Sequence, residues 1–359
     1  MNPLLQVAQQ GQRIWLHNLS RALLREGRLD RLIEESAVSG VTSDPVVFHR
    51  AVSGSPHYQK ELLRLRESGL KPEARYESLA IPDVREACDV LSPIFEESHG
   101  DDGYVSLDVS PFLARDVEGA VAAGQRLNDT VNRRNLLIRV PATREGFVAV
   151  EELVAMGINV NVTLMFSLCH TESAAESYMR GARRWVAGGG DPGRLKSVAS
   201  FFLSRIDTAV DRILERTGME EIIAMRGLSA IALAKLAYRR YREIFHGRAF
   251  ADLAALGVRP QNLLWASTGT KNPSYSDVHY MESLIGPETV STLPDATLSA
   301  FRDHGKVDAT LERNQDDAEG WIVALGRLGV DMRELGEELQ AAGLKSFELA
   351  FGKLLRLTN

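Results

Sequence analysis

The chain of 359 residues is 44% hydrophobic and 25% charged, a composition typical of a globular protein with enough apolar residues for a large core. Its formal net charge of −6 argues against a nucleic-acid partner and against binding to an anionic membrane surface. Two cysteines, Cys88 and Cys169, are too few for a disulfide framework and fit a reducing compartment. Because there is no signal-peptide pattern and no apolar run of about 18 residues, we expect a cytoplasmic protein with no membrane partner.

Eight short apolar segments rich in β-forming residues recur along the chain. In chain order they are residues 13–17 (RIWLH), 40–45 (GVTSDP), 104–110 (YVSLDVS), 136–142 (LLIRVPA), 159–166 (NVNVTLMF), 196–202 (KSVASFF), 262–268 (NLLWAST) and 290–294 (VSTLP). Segments with helical spacing of apolar residues separate most of them. Strands that are apolar throughout and alternate with helices indicate a parallel sheet. Eight such units predict an α/β protein folded as a single closed (β/α)8 TIM barrel.

No linker, repeat or low-complexity tract divides the chain, so we expect one domain over residues 1–359. The segment after His304 is charged and has helical spacing, with Trp321, Ile322, Leu325 and Leu328 on one apolar face. This pattern predicts additional C-terminal helices, over about residues 306–359, that pack on the barrel.

Polar side chains lie at or near the C-terminal ends of seven of the eight predicted strands. They are His17, Asp44, Asp108, Arg139, Asn161 with Thr163, Ser200 and Ser267. A single residue of this kind is as easily explained by a structural role, as a hydrogen-bonded polar group at the end of a strand, as by a functional one. Seven strands that each contribute one predict a shared site, because TIM barrels build their sites at this end.

The segments around these residues resemble the transaldolase family, in particular its longer bacterial form. The similar segments extend over nearly the whole chain and are GQRIWLHNLSR, GVTSDPVVF, VSLDVSPFLA, LLIRVPATREG, GINVNVTLMFS, SVASFFLSRID and WASTGTKNPSYSDVHY. The resemblance implies a TIM barrel and an enzyme that acts on sugar phosphates. In that family a lysine on the fourth strand forms a Schiff base with a ketose phosphate, and a dihydroxyacetone unit passes to an aldose phosphate.

Four positions depart from the family pattern. The Schiff-base lysine falls on Arg139, the catalytic aspartate on His17, the second-strand asparagine on Asp44 and the third-strand glutamate on Asp108. A guanidinium stays protonated and is not a nucleophile, so Arg139 cannot form the imine. The chain favours arginine, which makes up 34 of its 42 basic residues, but this bias does not explain three further changes in the same predicted cavity.

The remaining site positions keep the identities found in the family: Asn161, Thr163, Ser200, Arg205, Ser267 and Lys271. The last three fall where the family holds the substrate phosphate. The segment GTKNPSYSD predicts a helix that begins after Pro273, whose positive end would favour an anion. Neither Lys196, at the start of its strand, nor Lys235, on a predicted helix, is placed to replace the missing lysine.

Three interpretations of these departures are open. The first is an enzyme of altered chemistry, which binds a sugar phosphate or a related anionic polyol or keto compound and uses no Schiff base. The second is a non-catalytic homologue that binds a sugar phosphate or a partner. The third is residual transaldolase activity in the pentose phosphate pathway. We favour the first, in specialised metabolism, because four polar-for-polar replacements are unlike the loss of polar residues expected from decay.

In the favoured interpretation His17 is an acid or base, and Arg139 faces Asp44 and Asp108 or a substrate acid. The set of His17, Asp44 and Asp108 would also suit a divalent metal, but Arg139 would repel it, so we expect neither a metal nor another cofactor. The expected partner is a small anionic substrate, bound by a monomer or a homodimer.

Overall fold

The computed structural model describes residues 2–358, so Met1 and Asn359, the ends of the predicted domain, lie outside the described residues. Eight parallel strands form a closed barrel in which each strand pairs with the next and the last pairs with the first. The strands are β1 (Gln12–His17), β2 (Val38–Thr42), β3 (Val105–Asp108), β4 (Leu136–Pro141), β5 (Val160–Met165), β6 (Ser197–Phe202), β7 (Asn262–Ala266) and β8 (Thr289–Leu293). Each overlaps one of the eight predicted segments, and the predicted TIM barrel is confirmed. β2 ends at Thr42, so residues 43–45 of the predicted segment lie beyond the strand.

Helices surround the barrel on its outer side. They are α1 (Pro3–Gln9), α2 (Arg21–Arg25), α3 (Arg28–Ser36), α4 (Pro45–Gly54), α5 (Gln59–Arg66), α6 (Pro72–Glu97), α7 (Val117–Val131), α8 (Arg144–Ala155), α9 (Leu168–Ala187), α10 (Ser204–Arg216), α11 (Glu220–Ile223), α12 (Ser229–Phe245), α13 (Ala251–Ala255), α14 (His279–Ser283), α15 (Asp295–His304), α16 (Gln315–Arg327) and α17 (Met332–Leu357). Single 3₁₀ turns occupy Pro56–Tyr58, Pro111–Leu113 and Pro192–Arg194. No helix described for residues 2–358 has both the length and the hydrophobicity needed to span a membrane.

The strands are continuous apolar runs because the barrel interior covers one face and the helices cover the other. All residues of β4, β5, β6, β7 and β8 are buried. Side-chain caps start several of the following helices at the C-terminal end of the barrel. Thr143 accepts the N–H of Gly146 at the start of α8, and Ser167 accepts that of His170 at the start of α9.

A partly buried ionic network around Lys196 lies at the N-terminal end of the barrel. The Lys196 Nζ lies 2.8 Å from Asp101 Oδ1 and donates to Asn262 Oδ1 at 2.7 Å. Arg13 forms an ion pair with the same Asp101. Burial, together with the charge of Arg13, lowers the pKa of Lys196 to about 8, although Asp101 opposes the shift. This lysine precedes β6, at the end of the barrel opposite to the strand ends that carry Arg139 and His17.

The two last helices pack on the barrel in different places. α16 packs against α12, whereas α17 packs against α4 and α6 and also contacts β5. On α17, Gln340 donates to the carbonyl oxygens of Ala142 and Leu164, at 2.6 and 3.2 Å. A Cβ at Gly343 would lie 3.0 Å from the Arg205 guanidinium, so this glycine permits the close approach of α17. The helix therefore extends across the C-terminal mouth of the barrel.

Candidate active site

A cavity of about 240 Å³ occupies the mouth of the barrel. Seven of the ten residues predicted from the sequence line it: His17, Asp44, Arg139, Ser200, Arg205, Ser267 and Lys271. The other three are close to these residues but lie outside the lining. Thr163 and Asn161 are fully buried behind Arg139 and Ser200, and Asp108 lies beside Arg139.

Arg139 lies at the centre of the candidate site. It is 3% exposed and pairs in the sheet with Asp108 on one side and Asn161 on the other. Its Nη2 donates to Thr163 Oγ1 at 2.8 Å, and its Nη1 donates to the carbonyl oxygen of Ser43 and lies 3.4 Å from Asp108 Oδ2. The buried Nε has no hydrogen-bond partner among residues 2–358. The run LLIRVPA therefore tolerates a buried guanidinium because neighbouring strands supply its acceptors.

His17 and Asp44 form a pair at the ends of β1 and β2. The His17 Nε2 lies 3.3 Å from Asp44 Oδ2, and its Nδ1 lies 3.1 Å from Thr42 Oγ1. The other Asp44 oxygen caps α4 by accepting the N–H groups of Val46 and Val47, at 2.8 and 2.9 Å. Asp44 thus orients the imidazole while it is itself held by the helix terminus.

The two carboxyl groups of the site have pKa values shifted in opposite directions. Burial alone would raise the pKa of Asp44, but the hydrogen bond and charge of His17, the charge of Arg139 and the Val47 N–H hold it well below its usual range. Burial raises the pKa of Asp108 to about 6; the charge of Asp44 adds to this shift, and the charges of Arg139 and His17 oppose it. Asp44 therefore stays ionised near neutral pH, whereas Asp108 can exchange a proton.

Polar residues inside the barrel form a chain beneath the cavity. Ser200 Oγ donates to Asn161 Oδ1 at 2.7 Å, and Asn161 Nδ2 donates to Ser106 Oγ at 3.0 Å. Asn161 is fully buried, so this chain satisfies its amide without water. Asn161 lies directly beside Arg139 in the sheet, so this hydrogen-bonded chain forms a polar layer beneath the cavity.

Arg205, Ser267 and Lys271 border the part of the cavity towards β6 and β7. The Arg205 guanidinium carbon lies 5.7 Å from the Phe202 ring centre, and burial lowers the pKa of Arg205 while the charge of Asp44 opposes the shift. Ser267, which has a φ of 56°, lies with its Oγ 2.8 Å from Ser204 Oγ. Lys271 is exposed at the rim. This region offers two cationic side chains and hydroxyl groups to an anion.

The predicted helix after Pro273 is wrong. Residues 270–278 form turns and bends, and the next helix, α14, begins only at His279. Asn272 accepts the N–H of Ser274 at its side chain, at 2.9 Å, and that of Tyr275 at its carbonyl oxygen, at 3.1 Å. This local turn competes with helix formation, as asparagine side chains commonly do. The Tyr275 hydroxyl then anchors the loop by donating to Asp211 Oδ2 at 2.6 Å.

The alternative of a metal bound by His17, Asp44 and Asp108 has no geometric support. Within residues 2–358 no group of three or more His, Cys, Asp or Glu side chains is arranged to hold a metal ion. Asp44 faces His17, whereas Asp108 faces Arg139.

Several residues of the site had no part in the sequence prediction. Thr42 and Ser43 contact His17 and Arg139, and their position directly before Asp44 was an available signal. Ser346 lines the cavity, and the Phe347 ring centre lies 5.7 Å from the Arg139 guanidinium carbon. Both belong to α17, far away in sequence, and nothing local in that helix indicates a contact with the mouth.

Comparison with known proteins establishes the family. The family described as Transaldolase/Fructose-6-phosphate aldolase matches residues 14–358. The chain belongs to this family. A transaldolase of Thiobacillus denitrificans is 52% identical over 355 residues, which is 99% of each chain. A transaldolase of Neisseria gonorrhoeae is 46% identical over 345 residues, which is 96% of each chain. A transaldolase of Frankia alni is 42% identical over 355 residues, which is 99% of this chain and 96% of the relative.

Proposed function

We propose that this member of the transaldolase family is an enzyme that binds a sugar phosphate, or a related anionic keto compound, and works on its carbon skeleton without a Schiff base. The observation that carries the proposal is the buried guanidinium of Arg139, at the position where the family resemblance places the imine-forming lysine. A guanidinium stays protonated and offers no free amine. Among the described residues that line the cavity, Lys271 is the only lysine, and it is exposed at the rim.

Arg139 would stabilise negative charge instead of forming a covalent bond. A carbonyl compound that loses an α-proton, or the electron pair of a C–C bond, develops charge on its carbonyl oxygen. A fixed guanidinium in a buried site stabilises such an oxyanion strongly, because it needs no reorganisation.

Asp108 and His17 would supply the proton transfers. With a pKa of about 6, Asp108 would exchange a proton near neutral pH from its place beside Arg139, next to the cavity and outside its lining. The pair of His17 with the ionised Asp44 offers a second acid or base, oriented from β1 and α4. The reaction class is enediolate chemistry. In aldose–ketose isomerisation the base removes the proton from the carbon next to the carbonyl, whereas in aldol cleavage it removes the β-hydroxyl proton, and the electron pair of the broken C–C bond passes to the carbonyl and gives an enediolate and an aldehyde.

Arg205, Ser267 and Lys271 would hold the substrate phosphate at the edge of the same cavity. We propose that residues 1–359 work as one domain, since α17 contributes Ser346 and Phe347 to this site. We also propose a role in specialised metabolism and not in the housekeeping pentose phosphate pathway, because the imine chemistry of that step requires an amine.

The test combines two measurements on the full-length protein. Borohydride reduction in the presence of fructose 6-phosphate, followed by mass spectrometry, should yield no adduct. Incubation in D₂O with a panel of ketose and aldose phosphates should yield deuterium exchange next to the carbonyl of at least one compound, and Arg139→Gln should abolish it. A borohydride adduct on the wild-type protein would refute the proposal, and phosphate binding without any exchange would favour a non-catalytic homologue.

A further inference from the structure

A second cavity, of about 250 Å³, lies beside Asp108. None of its lining residues lines the cavity that contains Arg139 and Arg205. Its walls come from α6, β3, the 3₁₀ turn Pro111–Leu113, α7 and α17. The two cavities are linked through one ion pair, because Asp108 of the second cavity is 3.4 Å from Arg139 of the first.

The walls of this second cavity are mainly aromatic and aliphatic. The Phe351 ring lies 5.1 Å from the Tyr76 ring and 5.7 Å from the Phe112 ring, both in edge-to-face geometry. The aliphatic residues of the lining are Ala80, Ile81, Leu107, Leu113, Ala123 and Leu127. A polyol placed against these apolar side chains would find few hydrogen-bond partners for its hydroxyl groups, at a cost in binding free energy.

Each charged group around the cavity either has a partner of opposite charge or is exposed. Arg126 forms two hydrogen bonds of 2.7 Å with Glu77, and Asp108 faces Arg139. Glu73 is exposed at the surface. The interior therefore presents no unpaired buried charge that would favour a cationic or an anionic ligand over a neutral one.

We propose that this cavity is a subsite for a neutral, apolar, ring-sized group of the substrate, such as an aryl or a branched alkyl group. The proposal rests on the proposed function, since it places this group next to the carboxyl of Asp108. An apolar cavity of about 150 Å³ in another protein holds benzene, so the volume here admits a substituted six-membered ring. A substrate with such a group would be larger and less polar than a simple sugar phosphate.

Benzyl alcohol serves as the probe, in ligand-observed NMR and in titrations of the full-length protein. We expect saturable binding, weakened by about tenfold or more in Ala123→Phe, which fills the cavity. Ala122→Phe is the matched control, because Ala122 is exposed on the same helix and does not line the cavity. Phe112→Ala, at a side chain that is 53% exposed, should weaken binding severalfold without affecting folding.

Three outcomes would overturn the subsite: no binding of benzyl alcohol to the wild-type protein, equal losses in Ala122→Phe and Ala123→Phe, or binding of benzylammonium more than about tenfold tighter than that of benzyl alcohol. Orthophosphate affinity, measured in parallel, should be unchanged in every variant. If benzyl alcohol binds in the expected way and no sugar phosphate undergoes exchange, the proposed function fails and the subsite remains.

Discussion

Arg139 and Asp108 lie side by side on β4 and β3, with Nη1 3.4 Å from Oδ2. The contact is long for a charge-assisted hydrogen bond, which is about 2.7–2.9 Å. The Arg139 guanidinium is instead held more closely by Thr163 and the Ser43 carbonyl. Asp108 is therefore only partly compensated, which agrees with its raised pKa and makes it more readily protonated than Asp44, the other carboxyl group of the site.

Replacement of Arg139 by lysine should not by itself restore imine chemistry. A lysine there would lie near Asp108 and Asp44, and their charges would raise its pKa when catalysis needs a neutral amine. The triple variant His17→Asp, Asp44→Asn, Arg139→Lys should recover far more activity than the single variants predict together, because such residues act as a unit. The measurement is borohydride trapping with fructose 6-phosphate, followed by mass spectrometry, on the wild type, the Arg139→Lys variant and the triple variant. An adduct on the new lysine of Arg139→Lys, formed as completely as in the triple variant, would contradict this prediction.

Asp108→Asn should stabilise the fold at neutral pH but not in acid. The folded-state pKa of about 6 lies above the ordinary value of 3.8, so the protonated carboxyl favours the folded state. That contribution is fully present below the ordinary value and is lost as the pH rises through 6. Unfolding by denaturant at pH 7.5 should show a gain of up to about 3 kcal/mol for the variant. The gain should shrink towards pH 4. An equal gain at both pH values would show that ionisation of the Asp108 carboxyl is not its cause.

The same substitution should alter the pH dependence of the proposed reaction. If Asp108 exchanges the proton, deuterium exchange into the substrate should fall below about pH 6 in the wild-type protein, where the base is protonated. Asp108→Asn should lose most of the rate, and Asp108→Glu should keep a titrating limb with a shifted midpoint. A wild-type profile that is flat between pH 5 and 7 would exclude this role.

Asp44→Ala should destabilise the protein by about 1–2 kcal/mol, because it removes both the cap of α4 and the partner of His17. Asp44→Asn keeps a capping side chain and should cost less. The lowered pKa of Asp44 means that its ionised form stabilises the fold above the ordinary value of 3.8, and that this contribution is lost as the pH falls through the folded-state pKa. Denaturant unfolding of the three proteins at pH 7 and pH 3 measures both effects. Equal losses for Ala and Asn would argue against the cap.

Arg205→Ala should weaken orthophosphate binding by about tenfold or more, since a charge-assisted hydrogen bond contributes about 1.5–3 kcal/mol. Arg212→Ala, on the same helix α10 but outside the lining of the mouth cavity, is the control and should bind phosphate like the wild type. Isothermal titration calorimetry up to millimolar phosphate provides the measurement. Equal affinities for Arg205→Ala and the wild type would remove the anion site from this part of the cavity.

The sequence by itself determined the barrel fold. It also showed that Arg139, on the fourth strand, cannot act as a nucleophile. Continuous apolar runs such as 136–142 are typical of strands covered on both faces, and eight of them alternating with helices leave few other folds. The polar residues that follow the strands then meet at one mouth because the strands are parallel. That Arg139 cannot be a nucleophile follows from its side chain alone.

Only the tertiary structure decided which groups act together. His17 pairs with Asp44 and Arg139 faces Asp108, although the sequence allowed either carboxylate at Arg139. The turn at Asn272 replaced a predicted helix, and α17 brought Phe347 to the mouth. Such contacts depend on distances of a few ångströms between segments far apart in the chain. Strand register and helix packing set these distances, and the pattern of any one segment does not contain them.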